Sequence, residues 1–152
     1  MVAPLANALI CPKIPLTQPR KRLAMEPDCP FCDRIVSSES VASNEHAVAI
    51  PDAFPLSFGH TLIVPRRHVS SLWDLSESEL ENIWKLAGEV RKMLGAEHSP
   101  DGFNVGVNDG AAAGQTMDHA HLHVIPRYER DVPDPRGGIR HVLPERARYW
   151  SE

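Results

Sequence analysis

His119, His121 and His123 stand at a period of two in the run His119-Ala120-His121-Leu122-His123. In an extended chain, residues i, i+2 and i+4 point to one side, about 6.6–7 Å apart. The spacing therefore predicts three imidazoles on one face of a strand, with Ala120, Leu122 and Val124 on the other. An imidazole with a pKa near 6.5 offers a lone pair at neutral pH. Two chemistries follow: ligation of a metal, or attack on phosphorus to form a phosphoramidate, which divides one hard displacement into two easier steps. Crowding disfavours charging all three rings, which keeps the central one, His121, neutral. One of its neighbours could manage a leaving group while the other fixes geometry. A lone histidine would pass for an ordinary hydrogen-bonded polar residue; three at this period against an apolar face point to a site.

A second constellation is Cys29-Pro30-Phe31-Cys32. Two cysteines at this spacing suit a metal or a reduced thiol pair, and three cysteines in all do not make a disulfide framework. Both readings favour a reducing compartment, with the cytoplasm as the expected location. Cys11 lies in a stretch over residues 1–25 that holds four prolines and Arg20-Lys21-Arg22 without a helical or strand period. That stretch reads as a flexible tail, and the domain as residues 26–152.

The elements that must position these groups are legible in the pattern. Phe31, Ile35 and Val36 mark one face of a short helix. Ala47-Val48-Ala49-Ile50 reads as a strand stopped by Pro51, and His60-Thr61-Leu62-Ile63-Val64 as one ended by Pro65. The clearest helix runs from Glu77 to Leu94: Ser76 and Glu79 form a capping box, Leu80, Ile83, Trp84, Ala87, Val90 and Leu94 make the buried stripe, and Gly95 is placed just past the end. Phe103, Val105 and Val107 alternate with polar residues or glycine. A glycine-bearing loop, Asn108 to Gly114, then leads to the alternating run His119 to Ile125, closed by Pro126. Two alternating runs joined by a loop predict an antiparallel pair, and strands interrupted by one long helix give an α+β fold.

With 152 residues, 42% apolar and 24% charged, the chain has the size and balance of one globular domain. A net charge of −4, from 16 basic against 20 acidic residues, gives no basic stripe for nucleic acid. No run approaches the ~18 apolar residues of a membrane span, and Val2 to Ile10 reads as tail rather than signal peptide.

His119-Ala120-His121-Leu122-His123-Val124-Ile125, a His-x-His-x-His run with two apolar residues after it, resembles the signature of the histidine triad (HIT) family. Asn108-Asp109-Gly110, Gly114-Gln115-Thr116, Pro126-Arg127 and the upstream Gly59-His60-Thr61-Leu62-Ile63-Val64-Pro65-Arg66-Arg67-His68 are similar to family members as well. The likeness covers roughly residues 29–128. One departure is Phe58, where members often carry proline before the Gly-His pair.

The resemblance implies an antiparallel sheet of about five strands with helices on one face, paired as a homodimer. It implies a hydrolase acting at the α-phosphate of a purine nucleotide, either a dinucleoside polyphosphate or a nucleoside phosphoramidate. His121 would be the nucleophile, His123 would contact the reacting phosphate and leaving group, and His60 would support the triad. Gln115, Asn108 and the Gly114 loop would bind phosphate oxygens, Asp52 the ribose hydroxyls, and Phe31, Ile50 and Ala53 the base. In members with a Cys-x-x-Cys pair the metal is a structural Zn2+, and the matching ligands are Cys29, Cys32, His68 and His119. Two other functions fit the same residues: a zinc-stabilised nucleotide-binding module with little turnover, and a nucleotidyltransferase. The third histidine, His123, favours water as acceptor over the latter.

Overall fold

The structure, a computed structural model, describes residues 26–150. The predicted tail, with Cys11, lies outside the described residues. The elements are helix α1 (Pro30–Val36), strands β1 (Ala42–Ser43), β2 (Ala47–Pro51) and β3 (Thr61–Pro65), helix α2 (Glu77–His98), and strands β4 (Gly102–Val107) and β5 (Leu122–Arg127). The five strands form one antiparallel sheet in the order β1-β2-β3-β5-β4, an α+β fold.

Alternation along the central strands separates two cores. Ala47, Ala49, Ile63, Leu122 and Val124 pack with Ile83, Leu86, Ala87, Val90 and Leu94 of α2. Val48, Ile50, Leu62 and Val64 turn the other way and pack with Cys29, Phe31 and Cys32 at the start of α1. The two helices therefore cover opposite faces, not the single face that the family resemblance implied. A strand buried on both sides needs apolar residues at consecutive positions, which is what Ala47–Ile50 and Leu62–Val64 supply.

Helix α2 begins as expected. Ser76 Oγ accepts the Glu79 N–H at 3.3 Å, and the Ser76 N–H donates to Glu79 Oε2 at 2.8 Å. Arg67 donates to both oxygens of Glu79 at 2.9 Å, joining the helix start to the segment after β3 and holding that carboxyl down at about 2. The helix ends later than its glycine suggested. Gly95 stays inside it, and Ser99, at a φ of 49°, makes the left-handed cap. Trp84 is 51% exposed and leaves the stripe, while Leu86 enters it.

Three prolines expected to end strands instead form part of them, each where the neighbouring strand has run out. The carbonyl of Pro51 accepts from Arg34 Nη2, that of Pro65 from His119 Nε2, and that of Pro126 from Ser57 Oγ. In a strand a residue's N and C=O share one edge, so the missing N–H faces no ladder partner. Strand β5 accordingly runs from Leu122 through Pro126 to Arg127, starting three residues later than the alternation predicted. The two-residue strand β1 had no sequence signal of its own; it exists by pairing Ala42 with Ala49.

Candidate functional site

On the α1 side of the sheet the register draws a grid. Ile50 pairs with Leu62, Leu62 with His123, and His123 with Gly106, making one row across four strands. His119 and His121 precede β5 and are held in place by the Ala120 N–H, which donates to the Val69 carbonyl at 2.7 Å. The three imidazoles follow one another along the chain, crossing this row at His123, and lie in different surroundings.

His119 is fully buried. Its Nε2 lies 2.9 Å from the Pro65 carbonyl, which can only accept, so Nε2 carries the proton. The lone pair is then on Nδ1, which faces Cys29 Sγ at 3.4 Å and Cys32 Sγ at 3.6 Å. His68 Nδ1 is 3.4 Å from Cys32 Sγ. Zinc bonds of about 2.3 Å to sulfur and about 2.0–2.1 Å to nitrogen at tetrahedral angles set such atoms about 3.5 Å apart. The four ligand atoms lie within 4.8 Å of one another. Cys29, Cys32, His68 and His119 could therefore hold a metal ion, with the Pro65 carbonyl orienting one ligand from behind. Burial lowers the His119 pKa to about 4 and raises that of the Cys32 thiol.

His121 is buried against the Phe31 ring, with centroids 5.1 Å apart, and 4.9 Å from the His123 ring. Its Nδ1–H donates to the His119 carbonyl at 2.9 Å, which leaves the Nε2 lone pair free of that bond.

His123 sits at the far end of the histidine run. Its Nδ1 is 3.0 Å from His60 Nε2. The Leu56 N–H donates to His60 Nδ1 at 3.2 Å, so the proton of a neutral His60 is on Nε2 and is given to His123. Asp52 Oδ2 stands 3.4 Å from His60 Nδ1, while Oδ1 accepts the Phe54 N–H at 2.8 Å. Burial is the main cause lowering His123 to about 4, reinforced by His121 and His60 and opposed by Asp52. Burial likewise lowers His60, again against Asp52.

The other residues singled out in the sequence divide into two groups. Ile50 begins this row and Phe31 packs in the core beside it, and Ala53 is exposed just past Asp52. Asn108 ends the β4 side, half-buried, and Gly114 is exposed in the loop beyond. Gln115 spends its amide on that loop: Oε1 accepts the Gly110 N–H at 2.7 Å, and Nε2 donates to the Ser70 and Met117 carbonyls at 2.8 and 3.0 Å. The Gly114 N–H is taken by the Ala111 carbonyl at 3.0 Å. Of these residues Gln115 borders a separate cavity of about 330 Å3, with Ser70, Ser71, Asp109 and Asp118. What the sequence did not reveal are the backbone partners, the carbonyls of Pro65 and His119 and the Leu56 N–H. They set which nitrogen of each ring bears hydrogen and have no side-chain signature.

The profile of the family described as HIT domain matches residues 34–130. The chain belongs to the HIT family. An uncharacterized HIT-like protein of Mycoplasma genitalium, MG132, is 39% identical over 66% of this chain and 74% of its own. The chain is 36% identical to the adenylylsulfatase HINT3 of Arabidopsis thaliana, over 70% of this chain and 56% of that one. It is 34% identical to the asymmetrical bis(5'-nucleosyl)-tetraphosphatase of Schizosaccharomyces pombe, over 65% and 54% respectively. Among solved structures, a zinc-bound histidine triad family protein of Mycobacterium smegmatis superposes with a TM-score of 0.61 at 31% identity, covering 76% of this HIT chain and 90% of the other. Among the described residues, no helix of this HIT protein is long and apolar enough to cross a membrane.

Proposed function

We propose that the chain hydrolyses a purine nucleotide at its α-phosphate through a nucleotidyl-His121 intermediate. The observation that carries this reading is the bond from His121 Nδ1–H to the His119 carbonyl, which aims the remaining lone pair away from the backbone. Nε2 attacks phosphorus, and the bond to the leaving atom breaks with its electron pair going to that atom. His123, whose Nδ1 takes the His60 proton, presents Nε2–H to the departing group. Water then attacks phosphorus, giving a proton back to His123 Nε2, the N–P bond returns its pair to Nε2 of His121, and nucleoside monophosphate is released. The His119 carbonyl stabilises the cationic ring between the two steps.

In this reading Asp52 takes the ribose hydroxyls, and Phe31, Ile50 and Ala53 border the base. Asn108 and the loop that Gln115 braces at Gly114 lie toward the phosphates. Substrates are dinucleoside polyphosphates or nucleoside phosphoramidates, the former supported by the likeness to a tetraphosphatase. Cys29, Cys32, His68 and His119 hold a structural Zn2+; the ligand geometry and the zinc-bound relative support this. Four protein ligands leave no open position for substrate. A homodimer that pairs the β4 edges would cover Val105 and Val107, which stand exposed on that strand. The protein works in the cytoplasm, where the thiols stay reduced.

The test is His121→Ala. Turnover of an adenosine phosphoramidate should fall by about 10³-fold or more, while adenosine monophosphate still binds by calorimetry. Undiminished hydrolysis would rule out the nucleotidyl intermediate.

A further inference from the structure

The loop that joins β2 to β3, residues 52–60, carries His60 and the two groups that meet its Nδ1, the Leu56 N–H and the Asp52 carboxylate. It is tied from the β5 side. The Ser57 hydroxyl donates to the Pro126 carbonyl, and the Tyr128 hydroxyl donates to the Phe58 carbonyl at 2.9 Å. Across the loop, the His60 N–H donates to the Ser57 carbonyl at 3.1 Å. Between the loop and the end of α2 lies a cavity of about 730 Å3, bordered by Asp52, Phe58, His60, Met93 and His98. A loop tied on one side and backed by open space keeps its setting only if something stops it on the other.

His98 is that stop. Helix α2 runs on past Gly95, and its last residue is His98. The His98 side chain is only 15% exposed, and its ring meets the Phe58 ring with centroids 4.5 Å apart, tilted by 60°. It also closes on Gly59, where a Cβ would come within 2.9 Å of His98 Cδ2 and 3.2 Å of Pro126 Cγ. Gly59 holds a φ of 87°, in the left-handed region that glycine adopts without strain. The residue before His60 is thus gripped between the end of α2 and strand β5. The His98 Nε2 stands 3.8 Å from Glu97 Oε1, beyond hydrogen-bond length, so the ring acts by contact. Phe58 is the departure noted in the sequence. A proline there would fix φ through its own ring, whereas here the turn is restrained from outside.

We propose that His98 is a positioning residue for His60. Clasped with Phe58 against Gly59, its ring holds the 52–60 loop at the setting in which the Leu56 N–H reaches His60 Nδ1 and leaves the proton of the neutral ring on Nε2, facing His123. Without the ring the loop tilts into the cavity behind it and the 3.2 Å bond from Leu56 lengthens. Asp52, 3.4 Å from Nδ1, then draws the His60 proton to that nitrogen. His123 loses its donor, and its own proton moves to Nδ1, off the Nε2 that serves the leaving group. His98 touches no reacting atom, and the coupling is confined to the last turn of α2. The effect on turnover rests on the reading of His121 as nucleophile; the effect on the His60 proton does not.

The experiment reads the His60 tautomer by ¹⁵N NMR at neutral pH, beside kcat and KM for adenosine 5′-phosphoramidate, in wild type, His98→Ala, His98→Phe and Phe58→Ala. Wild type should carry the His60 proton on Nε2. In the two alanine variants the Nδ1–H form should appear, and kcat should fall by about tenfold or more while KM moves less than about twofold. His98→Phe restores a ring and should bring back the wild-type tautomer and kcat to within about threefold. Phe58 is 72% exposed, so Phe58→Ala should fold and keeps the test decisive should melting show that His98→Ala does not. A His60 tautomer that no alanine variant moves would overturn the positioning role and leave His121 as nucleophile. Failure of His98→Phe to restore the tautomer would overturn it as well. A tautomer that shifts as expected in a protein without turnover would uphold the positioning role and overturn the hydrolase reading.

Discussion

The two ends of the histidine run receive the same treatment from the solvent and opposite treatment from their neighbours. Burial pushes His119 and His123 alike to about 4. At the His119 end the ring meets two thiols, a second imidazole and a carbonyl, a donor set that suits a soft divalent cation. At the His123 end it meets another imidazole with a carboxylate behind it, a set that can pass or orient a proton. His121 stands between them, so one neighbour is pinned and the other kept responsive. Burial keeps His119 and His123 neutral, and the partner decides what each of those two rings is for.

Substitution at the pinned end should have the largest effect on stability. Cys32→Ser removes one of four candidate ligands, and the purified protein should lose its metal by elemental analysis. The melting temperature should fall by about 10 °C, as expected for a loss of about 3 kcal/mol in a domain of this size. A metal-free wild type that melts like the variant would erase the contrast between the two ends.

The responsive end should show itself in pH dependence. His123 stays neutral in the fold down to about 4, against an ordinary value of 6.5. The unfolded chain therefore takes up its proton first. The stability contributed by the neutral ring is complete above about pH 6.5 and is lost as pH falls toward 4. In denaturant titrations across that window, His123→Asn should flatten the decline relative to wild type. Parallel curves would mean that the ring is not held neutral by its surroundings.

The smallest effect belongs to the opposite face of the sheet. Ser76→Ala deletes the hydroxyl that caps α2 and should cost about 1 kcal/mol, with metal content and kcat/KM both unchanged. A change in catalysis from this position would show that the α2 face and the site are coupled, and not merely two sides of one sheet.

Much of this molecule could be read along the chain, for reasons that differ by element. The capping box of α2 is a local pattern and the structure places it as expected; β4 forms where the alternation put it, but Val105 and Val107 on it stand exposed. Gly95 misled because a left-handed cap needs a suitable φ, which Ser99 supplies four residues later. Trp84 misled because the stripe was drawn one residue too wide around the helix, and a large ring fits better on its outer side. Strand β1 was invisible because two residues carry no period; only its partner makes it a strand. For the site, the imidazoles, thiols and Asp52 were all legible. Gln115 was legible as a loop residue, but that its amide is tied to three backbone groups was not.

Residue type and spacing determined that imidazoles would line up on one side of an extended run in an antiparallel sheet, because side-chain direction in an extended chain follows from backbone geometry alone. That the cysteine pair lies beside them was implied by the family resemblance and is a fact of the tertiary structure. Only the tertiary structure decided which nitrogen of each ring holds the proton. That choice is made by the carbonyls of Pro65 and His119 and the Leu56 N–H, groups that every residue type possesses. The close approach of Ile139 to Gly106 is likewise tertiary, since it depends on the chain returning to a strand 33 residues earlier.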